Sequence, residues 1–359
     1  MIDKMELLLS QHLTSWRESR GLVWIGVSDL NCDCDYERYE QWLQEGRAGN
    51  LHYLTQNAAL RKNPGLLLTG ACSALVYGLP YLPKPLPLER TTPQAALYAH
   101  FRDYHKILRE AGRALSRLLE SAFWPDLRVT ARVCVDTAPL LERALAGKTG
   151  SGFIGRNTCF IHPRYGSFLL LGELLTNIPA SQLQPHVGGG EPVSHTGCGS
   201  CHRCQVICPT QALNRDFQID ARLCLAYWTI ENRGPIPFEF WPHLKDYYFG
   251  CDLCQTVCPY NSKKTVPLLP RHIETRHFPE LFAIATMDQR VYEHAFGGTP
   301  MTRAGRLGLR RNALIAMAVT AHPRLAQAME CAQSANVSPL TETVAMIAAS
   351  SYAPQKHLP

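Results

Sequence analysis

The sequence contains no run of apolar residues long enough to cross a membrane. The longest candidates, residues 168–175 and 313–321, fall short of the roughly eighteen residues that a membrane helix needs. The first segment, MIDKMELLLSQHL, carries Asp3 and Glu6 in an amphipathic pattern and lacks a small-residue cleavage site, which predicts a helix rather than a signal peptide. A twin-arginine export signal is also missing. We therefore expect a cytoplasmic protein that makes no membrane contact.

Acidic residues are missing from residues 296–329, although the whole chain carries 30 acidic and 36 basic residues. The same span contains five arginines, which are Arg303, Arg306, Arg310, Arg311 and Arg324. The first four recur at three- and four-residue spacing, which would place several of them on one face of a helix. Such a stripe suits phosphate contacts with a nucleic acid, and a solvated helix face is an equally good interpretation.

Cysteine, by contrast, is abundant, and eight of the fourteen cysteines fall in two linked runs. The first run has the spacing C-x2-C-x2-C-x3-C-P and consists of Cys198, Cys201, Cys204 and Cys208. The second consists of Cys251, Cys254 and Cys258, followed by proline, and Cys224 supplies the member that it lacks. Bacterial two-cluster ferredoxins have this spacing, and the fourth cysteine of their run ligates the other cluster.

The spacing predicts two [4Fe–4S] clusters with crossed ligands. One cluster is assigned to Cys198, Cys201, Cys204 and Cys258, and the other to Cys208, Cys224, Cys251 and Cys254. Four-cysteine zinc sites, or disulfides in a secreted protein, are the alternatives. Zinc ribbons rarely contain two interlocked runs of this kind, so clusters are favoured. The other six cysteines have no ligand spacing and are predicted to be packing or surface residues: Cys32, Cys34, Cys72, Cys134, Cys159 and Cys331.

The hydrophobic pattern predicts an α+β protein in three parts. Strands are expected at residues 21–27, 74–79, 127–135 and 168–174, and helices at 2–20, 36–55, 98–123 and 138–145. Five prolines predict an extended loop at 80–93. The expected domains are an N-terminal α/β domain (1–185), a ferredoxin-like two-cluster domain (186–270) and a short HEAT-like helical region (271–359). Helices of that last region are expected at 307–320, 325–332 and 340–349.

A glycine-rich segment, residues 135–176, carries the strongest resemblance to a known family. It has glycines at 147, 150, 152 and 155, and Asp136 stands at the end of an apolar strand. Together with the cysteine runs, this segment resembles the epoxyqueuosine reductases, which complete queuosine in the anticodon of tRNA. Three further blocks match that family, namely YERYEQWLQEGRAGNLHYL, RDYHKIL and YWTIENRGPIP. The resemblance covers residues from about 20 to 320.

This resemblance implies a base-off cobalamin between the N-terminal and ferredoxin-like domains. Electrons would pass from cluster to cluster to cobalt, and the reduced cobalt would remove the epoxide oxygen of epoxyqueuosine. The residues implied to bind the cofactor are Arg61, Asp136, Arg143, Gly155, Arg156, Asn157, Tyr227 and Thr229. The implied partners are tRNA carrying epoxyqueuosine, with Arg303, Arg306, Arg310 and Arg311 contacting it, and a reduced flavodoxin- or ferredoxin-like electron donor.

Asp136 is implied to be the proton donor of the reaction. Burial against a flat, apolar cofactor would raise the pKa of its carboxyl group and keep it protonated. The alternative role is that of an N-cap for the helix expected at 138–145. Arg143, seven residues later, would lie two helical turns along the same face.

Two motifs of other cobalamin proteins are missing. The mutase pattern Asp-x-His-x-x-Gly fails, because Leu108 follows Asp103-Tyr104-His105 where glycine is required, and His105 is interpreted as a core histidine. No cysteine precedes this block near the upper cobalt face. The competing functions are a corrinoid reductive dehalogenase, a ferredoxin-type electron carrier, and an RNA-binding protein with structural clusters. A carrier would leave about 180 residues before the cluster domain without a purpose. The protein is expected to be a monomer.

Overall fold

A computed structural model describes residues 2–82, 93–187, 197–262 and 275–353. The helices are α1 (Ile2–Ser19), α2 (Asp33–Gln44), α3 (His52–Gln56), α4 (Ala58–Lys62), α5 (Tyr104–Phe123), α6 (Glu142–Lys148), α7 (Ala180–Val187), α8 (Arg203–Ile207), α9 (Leu253–Thr256), α10 (Pro259–Ser262), α11 (Leu281–Thr286), α12 (Gln289–Phe296), α13 (Gly305–Val319), α14 (Leu325–Ser334) and α15 (Leu340–Ala348). The strands are β1 (Val23–Asp29), β2 (Ser73–Pro80), β3 (Gln94–Ala95), β4 (Ala131–Cys134), β5 (Phe153–Ile154), β6 (Phe160–Ile161), β7 (Leu169–Thr176) and β8 (Tyr247–Phe249).

The N-terminal part is built on one four-stranded sheet in the order β1-β2-β7-β4. Every neighbouring pair in it is antiparallel, so the α/β arrangement expected for this part is wrong and this part is α+β. The central strand β2 is buried along its whole length, since helices cover both faces of the sheet. Leu75 and Tyr77 face α1 and α5, and Ala74 and Val76 face α6.

Helix α5 forms one side of the candidate active site. It was expected to begin at residue 98 but begins at Tyr104, because the side chain of Asp103 accepts a hydrogen bond from the backbone N–H of His105 and caps the helix. Residues 97–100 form a separate 3₁₀ turn. The apolar face of α5 packs on the sheet, and Tyr77 Oη donates to the Leu108 carbonyl at 2.9 Å.

Strand β4 and helix α6 bring Asp136 next to the start of α5. The strand ends at Cys134, and Asp136 has a φ of 50°, in the left-handed region that side chains other than glycine rarely adopt. Helix α6 begins at Glu142, later than the predicted start at 138, and its N-cap is Leu141. Asp136 is therefore not the N-cap that the sequence allowed as an alternative.

The C-terminal helices and the segment from residue 225 to 249 share one apolar core, which includes Trp241, Phe249 and Leu309. Helices α13, α14 and α15 confirm the three helices predicted for this region. The domain boundaries drawn from the sequence stay predictions, and most of the expected proline-rich loop, residues 83–92, lies outside the described residues. None of the described helices has the length and apolar character needed to span a membrane.

Candidate active site and cluster-binding loops

The four cysteines predicted for the first cluster line one small cavity. Cys198, Cys201 and Cys204 come from the turn before α8 and from α8 itself, and Cys258 arrives from the turn before α10. The backbone N–H of Arg156 donates to Cys198 Sγ at 3.3 Å. Four thiols converging from two distant loops, with a backbone amide directed at one sulfur, fit the ligand set of a [4Fe–4S] cluster.

The second predicted set also lies together. Burial raises the pKa of the Cys251 thiol, and the nearby charges of Cys224 and Cys208 raise it further. The pKa of the Cys254 thiol is raised in the same way, and Cys251 and Cys224 are among the groups whose charges contribute. Among the residues that the structure describes, no three His, Cys, Asp or Glu side chains are arranged to hold a single metal ion. The fit to clusters therefore rests on the donor type and on the grouping of the thiols.

The tight turn between β5 and β6 holds both cluster loops through Arg156 and Asn157. The Arg156 guanidinium binds Asp216 at 2.9 Å and the carbonyls of Gly199 and Cys201 at 2.7 and 3.3 Å. Asn157, which is 4% exposed, donates to the Cys254 carbonyl at 3.3 Å. Contacts with corrin amides were expected for both side chains, but here both are used inside the protein.

Gly155 allows this turn to close. A Cβ atom at this position would lie 2.5 Å from Ile161 Cδ1 and 2.7 Å from Asn157 Oδ1. Close packing, not contact with a cofactor, thus explains the glycine.

Four other residues expected to contact the cofactor also have partners within the protein. Arg61 is 6% exposed and donates to the Leu54 carbonyl at 3.0 Å. Tyr227 accepts a hydrogen bond from the Asn50 N–H at 3.2 Å, and Arg143 donates to the Thr158 carbonyl. Thr229 is fully buried and accepts from the N–H of Gly250, the residue before Cys251, at 2.9 Å. These contacts stabilise the loops around the site, so the direct cofactor contacts expected of these side chains are not supported.

The predicted arginine stripe is only partly on the surface. Arg310 and Arg311 are 4% and 0% exposed, so their assignment to tRNA phosphates is wrong. Arg311 instead donates to the carbonyls of Trp228, Asn232 and Gly234, which a π-helical turn at Tyr227–Glu231 leaves available. This contact attaches α13 to the cluster domain.

The other two arginines of the stripe remain accessible. Arg306 is partly exposed and donates to Gln289 at 3.1 Å. Arg303 is 47% exposed and forms a forked salt bridge with Glu231 at 2.8 Å. The Arg303 guanidinium also lies over the ring of Tyr53, 5.3 Å from its centroid.

Asp136 is joined to α5 by a chain of hydrogen bonds. His105 Nε2 lies 3.1 Å from Asp136 Oδ2, and His105 Nδ1 lies 2.7 Å from Asp103 Oδ1. The ring of Tyr104 stacks on His105 at 4.2 Å, and Tyr104 is also among the groups that lower the pKa of Asp136. The Asp136 side chain itself is 56% exposed, so this series of hydrogen bonds ends at an open surface.

The charges of His105 and Asp136 are the reverse of the expected ones. Burial alone would lower the pKa of His105, but hydrogen bonds to Asp103 and Asp136 and their negative charges raise it to about 9. Burial would raise the pKa of Asp136, yet His105, Tyr104 and Arg303 outweigh it and hold that pKa below its ordinary value. At neutral pH the pair is thus an imidazolium and a carboxylate, and the exchangeable proton lies on His105.

Sequence reasoning interpreted His105 as a core histidine and so missed this role. The signal that could have found it is the pair Asp103-x-His105 at a helix start, where one carboxylate can cap the helix and orient the imidazole.

Further side chains surround Asp136 and define a cleft, which we call the Asp136 cleft: Tyr53, Tyr98, Tyr104, Asp136, Glu231 and Arg303. The rings of Tyr98 and Tyr104 are in edge contact at 6.3 Å, and Arg303 contacts both Tyr53 and Glu231. The charges of Asp136, Glu231 and Arg303 also influence the pKa of both Tyr53 and Tyr98. The walls come from the N-terminal part, from the π-helical turn and from the turn before α13. Three aromatic rings and an exposed, hydrogen-bonded carboxylate fit a flat macrocyclic cofactor whose substrate needs a proton.

We predict that Cys258→Ser removes the cluster nucleated by Cys198, Cys201 and Cys204 and leaves the other cluster in place. Iron per protein after anaerobic reconstitution should fall from about eight to about four, since each cluster holds four irons. Cys159→Ser is the matched control, because this thiol lies near Cys204, Cys254 and Cys258 but belongs to neither set. About four irons in the unaltered protein would contradict the two-cluster assignment.

Comparison with known proteins agrees with both parts of this site. Residues 197–261 match the profile of the 4Fe-4S double cluster binding domain, and residues 61–137 match that of "Epoxyqueuosine reductase QueG, DUF1730". The epoxyqueuosine reductase of Alicycliphilus denitrificans is 33% identical over 325 residues, which cover 86% of each chain.

Solved structures are also similar to this chain. The structure of epoxyqueuosine reductase from Streptococcus thermophilus has a TM-score of 0.78 and 27% identity, and the match covers 93% of this chain and 88% of that one. An epoxyqueuosine reductase solved with an epoxyqueuosine-modified tRNA-Tyr stem loop has a TM-score of 0.76 and 27% identity, covering 95% and 89%. With its cluster cysteines grouped in two sets and close relatives matched over most of their length, the chain belongs to the epoxyqueuosine reductase family.

Proposed function

We propose that this protein reduces epoxyqueuosine to queuosine in tRNA, with electrons from two [4Fe–4S] clusters and a base-off cobalamin held in the Asp136 cleft. Cobalamin, when bound, supplies the reducing centre that breaks the bonds from carbon to the epoxide oxygen. A reduced flavodoxin- or ferredoxin-like protein delivers the electrons to a monomeric, cytoplasmic enzyme. The single observation that carries the proposal is the His105–Asp136 pair, which faces an open cleft next to the loops of the cluster cysteines.

The position of the second cysteine set suggests the order of electron transfer. Asp252, between Cys251 and its partner Cys254, accepts a hydrogen bond from the Leu97 N–H at 2.7 Å. Its charge also influences the pKa of Tyr98, a wall of the Asp136 cleft. The cluster of Cys208, Cys224, Cys251 and Cys254 is therefore the one that delivers electrons to the cleft, and the cluster of Cys198 receives them from the donor protein.

The protons come from the α5 side of the cleft. Conversion of an epoxide to an alkene and water consumes two electrons and two protons. Asp136 is ionised at rest, so it cannot be the ultimate source of a proton. His105 Nε2, which lies 3.1 Å from Asp136 Oδ2, transfers its proton through Asp136 to the departing oxygen, and Asp103 holds the imidazole in place. Proton exchange with solvent at the open cleft then restores the imidazolium for the second proton.

The rim of the Asp136 cleft suits a base that has been displaced from an RNA loop. The Arg303 guanidinium lies over the Tyr53 ring, and guanidinium planes and aromatic rings are the groups on which unstacked bases pack. Arg303 is half-exposed, and Glu231 fixes its orientation from the side. We assign Arg303, and not the buried Arg310 or Arg311, as the arginine of the stripe that meets the tRNA.

Asp136→Asn tests the reaction directly. The amide keeps the shape and can still hydrogen-bond to His105, but it cannot pass on a proton. Turnover of epoxyqueuosine in tRNA under anaerobic conditions should fall by about 10²–10⁴-fold, the usual range for general acid–base catalysis. Iron content and the cobalamin spectrum should match those of the unaltered protein. Undiminished turnover in this variant would remove Asp136 from the mechanism.

The pH dependence of turnover should report His105. Because the active form has an imidazolium, we expect the rate to fall as the pH rises through about 9, the pKa of His105. In Asp103→Asn the imidazolium loses one neighbouring negative charge, so this fall should move to lower pH, whereas asparagine still caps α5. A basic limb at the same pH in both proteins would exclude His105 as the titrating group.

Arg303→Gln should weaken tRNA binding and flatten its dependence on salt. A single lost phosphate contact lowers the slope of log K against log salt by roughly 0.7–0.9. Arg290→Gln, an exposed arginine on α12 away from the defined cleft, is the matched control and should leave the slope unchanged. If both variants bind with the slope of the unaltered protein, the RNA docks on another surface.

A further inference from the structure

Two carboxyl groups lie behind Asp136, that of Glu173 fully buried and that of Glu142 partly buried, in a place where ionised groups are costly. Glu173 lies within β7, opposite Cys134 of β4 and Val76 of β2, and is 0% exposed. Neither of its carboxyl oxygens has a hydrogen-bond partner among the described residues. An ionised carboxylate left without donors in a protein interior is strongly unfavourable, so Glu173 is satisfied only as a neutral acid that donates its own proton.

The group placed to accept that proton is Glu142, the first residue of α6, whose negative charge raises the pKa of Glu173. Burial raises the pKa of Glu142 to about 8, and the negative charge of Asp136 raises it further. Burial and the charge of Glu142 raise the pKa of Glu173 well above its ordinary value. Two carboxyl groups that share one dry site cannot both ionise near neutral pH, so the pair retains at least one proton.

The groups that face this pair offer little positive charge to offset it. They are Tyr77 of β2, Cys134 of β4, Tyr104 of α5, Asp136, and Arg143 of α6. Arg143 is the one cation among these described groups, and it also donates to the Thr158 carbonyl. The proton held by the pair, rather than a salt bridge, is therefore what makes the burial of the two carboxyl groups tolerable.

The pair is joined to Asp136 through the backbone. The N–H of Asp136 donates to Glu142 Oε1, and this contact holds a residue whose φ of 50° an ordinary side chain adopts only when its surroundings impose it. The opposite end of Asp136 is held by His105. Asp136 is thus held from two sides: His105 of α5 contacts its side chain, and Glu142 of α6 accepts a hydrogen bond from its backbone N–H.

We propose that Glu142 and Glu173 form a proton-sharing pair that positions Asp136 for reaction, with Glu142 the positioning residue and Glu173 the acid that keeps Glu142 in place. When the pair loses its proton, repulsion between three neighbouring carboxylates loosens the Asp136 segment from His105. The inference deepens the proposed function, since it concerns the same reaction. Its test includes a measurement that needs neither cobalamin nor tRNA.

The variants Glu142→Ala and Glu142→Gln distinguish loss of the contact that positions Asp136 from a general loss of stability. Alanine removes the acceptor for the Asp136 N–H, whereas the glutamine carbonyl still accepts this bond and its amide can donate to Glu173. We expect turnover in Glu142→Ala to drop by about 10–100-fold, the range that misplacement of a catalytic group produces. Glu142→Gln should retain at least about ten times the turnover of the alanine variant. Glu120→Ala, an exposed glutamate on α5, is the control for turnover and folding.

The independent measurement is the titration of His105 by NMR in the protein without cobalamin or tRNA. In Glu142→Ala the freed Asp136 no longer supports the imidazolium, so the pKa of His105 should fall below its starting value of about 9. In Glu142→Gln it should stay within about half a unit of that value, against typical variation of one unit among protein histidines. An unchanged His105 titration in Glu142→Ala, or equal loss of turnover in both variants, would overturn the proposal.

Thermal unfolding checks the direction in which folding shifts the pKa of Glu142. The folded state raises the pKa of Glu142 from an ordinary 4.5 to about 8, so the stability that its neutral form provides is lost as the pH rises through this window. Glutamine cannot ionise, and the melting temperature of Glu142→Gln relative to the unaltered protein should therefore increase from pH 5 to pH 8. A constant difference would contradict the shared proton. Should the unaltered, reconstituted protein fail to reduce epoxyqueuosine, the proposed function falls, while the titration and melting results still decide the positioning role.

Discussion

The hydrogen bonds of one turn, between β5 and β6, connect the two chemical halves of this protein. Arg156 holds the loop of Cys198 and Cys201, and Asn157 holds the loop of Cys254, so adjacent residues fix both cluster loops to the part of the chain that carries Asp136. Electron transfer needs short, fixed distances, and polar contacts made inside the protein provide them without any contribution from the cofactor. The glycine before them allows the turn to approach so closely. This turn is thus what joins the cluster loops to the part of the chain that carries Asp136.

Much of the arrangement could be predicted from local spacing in the sequence. The cysteine runs specify their own grouping, because thiols two or three residues apart must lie in one loop, and the described loops bring the predicted sets together. The helices α13 to α15 were predictable for the same reason, since a 3.6-residue period is a local property. The antiparallel sheet was not, because strand direction depends on how β2 and β7 pair across almost a hundred residues.

The residues that sequence reasoning misplaced share one cause. Arg310, Arg311, Arg156 and Asn157 were taken as exposed because polar side chains on a helix or in a glycine-rich turn usually face water or a ligand. Whether such a group is buried depends on carbonyl groups that lie distant in sequence, such as those of Trp228 and Asn232 for Arg311. The sign of the Asp136 pKa was misjudged for the same reason, since burial was foreseen but the imidazolium of His105 was not.

Arg311 and Glu173 are both fully buried ionisable residues, and the contrast between them separates structural from functional burial. The Arg311 guanidinium meets backbone carbonyls and the side chain of Asn312, so its charge is solvated by the protein and it only has to hold two regions together. Glu173 meets no donor and is tolerable only through a proton shared with Glu142, 31 residues earlier in the chain. A leucine in its place would pack in β7 at less cost to stability. The polar group there is thus best explained by the reaction: the proton that it shares with Glu142 lets Glu142 hold Asp136 beside His105, at the point where a proton has to be delivered.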